Sequence, residues 1–316
     1  MKNPVSFAQV VKEELVTNIY ESEDRLRALL SAYIRINAIM TFNNKKTNLV
    51  LKNENGKVSK FIYSQINSIY GGVAHMSYMS KGNTKKTYYI ITIDEASESI
   101  MDDLEISFLE GKISKNIVRN DDTISGYLAG AFLASGSINS PLTSNYHLEI
   151  SLNNENYAKW LSKLFAKYKN SNIEPKIISR RDKAVIYFKK SDQIANFLIM
   201  IGAVSACMEF ENVRVDRDFA NTANRLANGD MANMKKTLEA GKRQAEEMRL
   251  IDEKLGIKNI PNLKERELAY MRLENDSLSL IELANKMSEK TGKPVSKSNI
   301  NHLFISLHKL YERLKG

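Results

Sequence analysis

The chain has one cysteine, Cys207, and four scattered histidines, His75, His147, His302 and His308. A lone thiol forms no internal disulfide and no multi-cysteine zinc site, so a reducing cytosol fits best. The histidines fall at no metal-ligand spacing, and neither metal nor cofactor is expected. No stretch approaches the roughly 18 apolar residues of a membrane-spanning helix, and MKNPVSFAQVVKEELV is not a signal peptide. Gly71-Gly72 reads as a turn rather than a phosphate-cradling loop. These absences leave a soluble, intracellular, cytoplasmic protein with no membrane partner. At 316 residues it exceeds the usual single domain.

Charge is present and unevenly placed. Of the net +9, residues 1–162 contribute nothing, with 17 basic and 17 acidic side chains. Residues 163–190 carry nine basic groups, Lys176, Arg180, Arg181, Lys183 and Lys189 among them, against Glu174 and Asp182, a net +7. Residues 206–316 carry 20 basic and 17 acidic groups. A localised positive surface suits a phosphate backbone. A merely solvated face is the ordinary alternative.

Periodicity organises the chain. Apolar residues recur every three or four positions over 6–18 and 22–35, predicting helices. Extended runs follow at IMTF, TNLVLK, VAHMSYM and TYYIITI, with helix near 56–70 and at 93–103. The order then recurs: helix 123–135, strand YHLEISL, helix 155–168, strands PKIISR and AVIYF, helix 191–201. Short links such as FNNKKTN and SRRDKA predict antiparallel hairpins. Each half reads as a helix feeding a small antiparallel sheet with helices on one face, an α+β arrangement. Strand signals stop near 210. NTANRLANGD, with Gly229, predicts a break, and 231–254 a long connecting helix carrying Met231, Met234 and Met248 as packing residues.

The C-terminal segment predicts three short helices. Leu263–Glu274 is the first, and the second opens at Ser279 with Leu280, Leu283, Ala284 and Met287 on one face. Gly292 and Pro294 interrupt it. Ser296 or Ser298 caps a third helix with an apolar face of Ile300, Leu303, Phe304, Leu307, Leu310 and Leu314. The tight glycine-containing link makes this a helix-turn-helix pattern. The opposite face begins Lys297, Asn299, Asn301, His302, groups suited to a DNA groove, although an ordinary three-helix bundle has the same periodicity. His302 reads equally as a groove contact or a structural residue. Tyr146, His147 and Trp160 read as sheet or core, and Cys207 as a buried small apolar residue.

LAGAFLASG (128–136) and LSAYIRINA (30–38) are small-residue helices 98 residues apart, each heading an α/β half. With GAFLASGSINSPLTSNYHLEIS (130–151), NRLANGDMANMKKTLEAGKRQ (224–244), SLIELANKM and KPVSKSNINH (279–302), the chain resembles the LAGLIDADG homing endonucleases and, more closely, the WhiA family. That resemblance implies a pseudo-twofold LAGLIDADG-like domain of two αββαββα-type halves, 1–105 and 106–205. A helical linker, 206–260, would join it to an all-α helix-turn-helix domain, 261–316. It implies a non-enzymatic DNA-binding regulator of transcription tied to cell division and chromosome segregation, or sporulation. A nucleoid-associated or adaptor protein of little sequence specificity is the alternative, and a metal-dependent endonuclease a weaker one. The acids that hold divalent metal in cleaving relatives fall here on Asn37 and Ser135, neither anionic, so no catalytic residue is assigned. Asp121 and Asp122 belong to the cap and first turn of the following helix.

The resemblance places the main DNA contact in the C-terminal unit, on Lys293, Ser296, Lys297, Ser298, Asn299, Asn301, His302 and Lys309. The degenerate domain would either assist through a secondary contact on the basic hairpin, Lys176, Arg180, Arg181, Lys183 and Lys189, or serve as a scaffold for protein contacts. The partners expected are double-stranded DNA, in the nucleoid, and proteins of transcription or division; the oligomeric state is left open. Two departures stand out. Leu303, Phe304, Ile305 and Ser306 follow Asn301-His302 where the family carries basic residues, and Asn228-Gly229-Asp230 replaces its Asn-Cys-Glu string.

Overall fold

The computed structural model describes residues 5–43, 46–81, 86–143, 145–169 and 171–316. The tip of the FNNKKTN link lies outside them. The chain divides into two compact units, Met1–Arg217 and Asp218–Gly316.

The first unit is α+β and built on two 15-residue helices, α2 (Glu23–Asn37) and α5 (Asp121–Ser135). Ser22 caps α2 by accepting the Arg25 amide, and Asn120 caps α5 in a reciprocal box with Thr123. Asp121 and Asp122 lie in the first turn, so the cap belongs to Asn120 and the acids complement the helix dipole. Thr123 through Leu133 are all buried, and a helix apolar all round belongs inside a core. Glycine allows the close approach. A Cβ on Gly126 would lie 2.3 Å from the Arg25 carbonyl oxygen, and one on Gly130 still closer to that of Leu29.

Each of these helices runs directly into a four-stranded antiparallel sheet. The first has the order β1-β2-β4-β3, with β1 Ala38–Asn43, β2 Lys46–Asn53, β3 Ala74–Lys81 and β4 Lys86–Ile93. The second, β5-β6-β8-β7, repeats it with β5 Gly136–Ile138, β6 Leu148–Leu152, β7 Lys176–Arg180 and β8 Lys183–Phe188. Helices α3 (Gly56–Tyr70) and α6 (Glu155–Lys167) connect the two hairpins of each sheet, and α4 (Ser97–Asp103) and α7 (Ser191–Ile201) close the halves. Both halves are therefore αββαββα, as the family resemblance implies, with β5 the one strand that the periodicity does not show. Alternation sends Leu49, Leu51, Ile91 and Ile93 of one sheet, and Leu148, Ile150, Ile186 and Phe188 of the other, into one core. Helix α1 (Phe7–Thr17) adds Phe7, Val11 and Leu15 to that core. Cys207 is buried there, its Sγ 3.5 Å from the Ala195 carbonyl.

Helix α8 runs unbroken from Val204 to Lys254. The Glu14 carboxylate accepts its first free amides, Ser205 at 2.7 Å and Ala206 at 2.8 Å. The break expected at Gly229 does not occur. A glycine costs an exposed helix only about 1 kcal/mol, less than a long flanking helix supplies. Met231 and Met234 are 70% and 65% exposed, so neither packs as expected, whereas Met248 is buried.

The second unit is all helical. Met248 and Ile251 of α8 join Ile257 and Ile260, α9 (Leu263–Glu274), α10 (Leu280–Thr291) and α11 (Lys297–Lys315) around one small core. Arg272 lies inside it, 1% exposed, donating to the carbonyls of Asn275, Asp276 and Leu278. Burial lowers its pKa; all three bonds run from Nη1, and Nε is buried with no partner among the described residues.

Candidate nucleic-acid interface

The local sequence builds the helix-turn-helix. Ser279 and Glu282 form a capping box that starts α10, and Gly292, at φ +65°, ends it in the left-handed conformation. The turn is pinned from inside, since the Val295 amide donates to Ser288 Oγ at 2.8 Å. Ser296 then caps α11 by accepting the Asn299 amide at 3.2 Å. Of the two serines left open by the sequence, Ser296 is the cap.

Ile300, Phe304 and Leu307 anchor α11 to the core. At about 100° per residue this leaves one exposed face bearing Lys297, Ser298, Asn301, His302, Ile305 and Lys309. All eight C-terminal candidates, Lys293, Ser296, Lys297, Ser298, Asn299, Asn301, His302 and Lys309, are exposed. None of the three lysines has an ion pair among the described residues. His302 stands at the surface rather than in the core. Leu303 is half-buried and Phe304 buried, so two of the four departures from the family's basic run belong to the core. Ile305, 46% exposed, and Ser306 are the two that change the outer face.

The five hairpin candidates lie at one edge of the second sheet. Lys176 opens β7, Arg180 ends it, and Lys183 opens β8 opposite Arg180. Arg181 and Asp182 form the turn at φ +48° and +61°, the backbone of a tight two-residue hairpin. Every residue of β7 is exposed. Lys189 follows β8, its ammonium 5.7 Å from the Tyr187 ring. The open face of this sheet also bears an acid that the sequence reading passes over. Glu149 Oε2 is 2.9 Å from His147 Nε2 and 3.9 Å from Arg180 Nη1. Strand alternation in HLEISL signals it, since His147 and Glu149 share a face two residues apart.

Asn37 and Ser135 are the last residues of α2 and α5. Asn37 Oδ1 accepts the Lys52 amide at 2.9 Å, tying helix to sheet, and Ser135 Oγ is buried without a partner among the described residues. An amide already engaged and a neutral hydroxyl do not make a divalent-ion site, because neither supplies charge to concentrate the ion. Among the described residues no three of His, Cys, Asp and Glu are grouped to hold a metal. Nor is any helix long and apolar enough to cross a membrane.

Comparison with known proteins follows the same division. Residues 23–107 match the WhiA N-terminal LAGLIDADG-like domain, 124–220 the WhiA LAGLIDADG-like domain, and 223–311 the WhiA C-terminal HTH domain. Two relatives named "Probable cell division protein WhiA", from Lactobacillus delbrueckii subsp. bulgaricus and Staphylococcus aureus, are each 36% identical over 316 residues. The first alignment covers 98% of this chain and 99% of the relative, the second 99% and 98%. The crystal structure of full-length DUF199/WhiA from Thermotoga maritima is similar at a TM-score of 0.58 and 26% identity, covering 99% of both chains.

Proposed function

The chain belongs to the WhiA family, and from that we propose that it is a non-enzymatic DNA-binding regulator of cell division genes. The carrying observation is the exposed face of α11, where Lys297 and Lys309, neither with an ion pair among the described residues, and the side chains of Asn301 and His302 stand away from the core-facing Ile300, Phe304 and Leu307. Lysines there neutralise phosphates, while amide and imidazole groups reach base edges. The relatives named for cell division support that assignment of process, with chromosome segregation, or sporulation, as its finer form. Double-stranded DNA is the partner, in the nucleoid, joined by proteins of transcription or division. We read 261–316 as the DNA-reading domain, 206–260 as linker, and 1–105 and 106–205 as the two halves of a LAGLIDADG-like scaffold.

In this reading Asn37 and Ser135 stand where cleaving relatives carry acids, and no strand cleavage follows. The basic hairpin is a secondary contact, tempered by Glu149 on the same face. A weaker-specificity, nucleoid-associated role draws support from Ile305, which puts an apolar group without donors or acceptors in the middle of the reading face.

The experiment is occupancy of the chromosome by the full chain, compared with a Lys297→Ala/Asn301→Ala variant, alongside nicking assays in Mg²⁺. A few sharp promoter peaks, lost in the variant, with intact DNA in the assay, is the expected result. Many shallow peaks would favour the nucleoid-associated role, and nicking would restore the nuclease reading.

A further inference from the structure

We propose that Arg243 of α8 and Lys309 of α11 together clamp a DNA backbone phosphate, so that the DNA-contacting surface extends beyond the helix-turn-helix onto the long helix. This deepens the DNA-binding reading above and rests on it. Arg243 lies 66 residues before Lys309, and nothing in its local sequence marks it.

Both residues belong to the second unit and line one groove of about 400 Å³ between α8 and α11. Arg243 and Glu247 stand one turn apart on the α8 wall; Asn301, His308 and Lys309 stand on the α11 wall. Asn301 and Lys309 also belong to the exposed face of α11, so the groove borders the surface assigned to DNA. Arg243 and Lys309 are exposed, and neither has an ion pair among the described residues. Other lysines of the same unit are neutralised, Lys235 by Glu239 and Lys290 by Glu267.

The groove's one carboxylate is not positioned to cancel this pair. Glu247 is 7% exposed and its Oε1 is 3.0 Å from His308 Nδ1, a contact that joins α8 to α11. Beside the exposed ring of His308, held by Glu247, what faces outward is a guanidinium on one wall and an ammonium and an amide on the other. A tetrahedral dianion or a phosphodiester is the chemistry that accepts from all three, and a guanidinium fork suits two oxygens of one phosphate. The duplex that meets Asn301 offers a row of such groups. A phosphate held here sets the register of α11 and carries no sequence information itself.

The test measures DNA affinity of the full chain by fluorescence anisotropy across a salt series, with thermal melts as a folding control. Arg243→Gln leaves melting unchanged, since the side chain is exposed. It makes the slope of log K against log salt shallower by about 0.9, with roughly eightfold weaker binding at 0.1 M salt. Lys309→Gln does the same, the double variant loses no more slope than either single one because both serve one phosphate, and Arg243→Lys retains it. An unchanged slope in Arg243→Gln, with a reduced one in Lys297→Gln, overturns the clamp and leaves the DNA-binding reading standing. A wild-type chain without salt-dependent DNA binding overturns that reading itself. Adenosine monophosphate added at constant ionic strength separates the two sources of phosphate. If it binds through Arg243 while the DNA slope ignores Arg243→Gln, the groove serves a free anion and the proposal fails.

Discussion

The Cα of Gly130 meets the backbone of Leu29 so closely that a Cβ there would lie 2.1 Å from the Leu29 carbonyl oxygen. The obstacle is backbone, not the end of a flexible side chain, so α2 and α5 must separate to admit even a methyl group. Gly130→Ala is expected to destabilise the first unit by about 3 kcal/mol or more, as overpacking of a rigid contact does. A urea melt followed by tryptophan fluorescence reads this directly, because Trp160 packs against the same core.

Gly229 is the opposite case. It lies inside α8 with nothing within 4 Å of where a Cβ would stand. Gly229→Ala is therefore expected to stabilise the helix by about 0.5–1 kcal/mol, through backbone entropy alone. Circular dichroism at 222 nm during a thermal melt should show a small upward shift; a downward one would indicate a contact at that position.

Lys12 gives the first unit a pH dependence. Its ammonium lies 5.7 Å from the Phe132 ring, has no ion pair among the described residues, and burial lowers its pKa to about 8 from 10.5. The folded state thus holds fewer protons than the unfolded one between those values, so this residue's contribution makes stability rise with pH from about 8 to 10.5. Below pH 8 the penalty is fully present, at most about 3 kcal/mol by the size of the shift. Lys12→Met should raise the melting temperature at pH 7 and remove that rise, which melts at pH 7, 8, 9 and 10 would show.

Arg272 holds the link between α9 and α10 through three carbonyls, with its guanidinium 5.3 Å from the Phe304 ring. Arg272→Met leaves those acceptors without a donor and is expected to cost the second unit about 2–4 kcal/mol. Arg272→Lys should rescue little, because the ammonium sits on a stem one atom shorter than the one that carries Nη1, from which all three bonds run. Hydrogen exchange of α9–α11 amides resolves this unit from the other; unaltered protection in Arg272→Met would refute the role.

Ser296 and Lys297 are adjacent but separable. Ser296→Ala removes the α11 cap and should cost about 1 kcal/mol with the salt slope of DNA binding unchanged. Lys297→Ala should leave stability alone and lower that slope by about one. Melts and a binding salt series on the two variants distinguish capping from contact.

Most elements were legible because two periodicities dominate the chain. The period of two in LEISL and the three-and-four spacing from Leu280 to Met287 each found their element. The short β5 was missed because Gly136-Ser137-Ile138 follows α5 without a turn signal. Asn120 escaped notice as a cap because two aspartates beside it offer the same chemistry. Gly229 misled for a physical reason, since a glycine's local cost is outweighed where both flanks are helical. The site divides along the same line. Lys297 and Asn301 follow from the pattern of one helix, whereas Arg243 and the Glu247–His308 contact depend on tertiary packing across 61 or more residues. Arg272 was invisible because a charged residue type reads as surface.

Helices α2 and α5 have the same length and register, so Gly126 and Gly130 correspond to Ala28 and Ala32, both fully buried. A homodimer of identical halves could not carry that difference, since any residue placed on one helix would appear on its mate. Joined in one chain, the halves are free to become complementary instead of equal, one supplying glycines and the other the backbone that lies against them. The same freedom extends to Arg35, the equivalent of Leu133, and to Asn37, the equivalent of Ser135. The central seam is thus an interface between two partners that no longer have to be interchangeable.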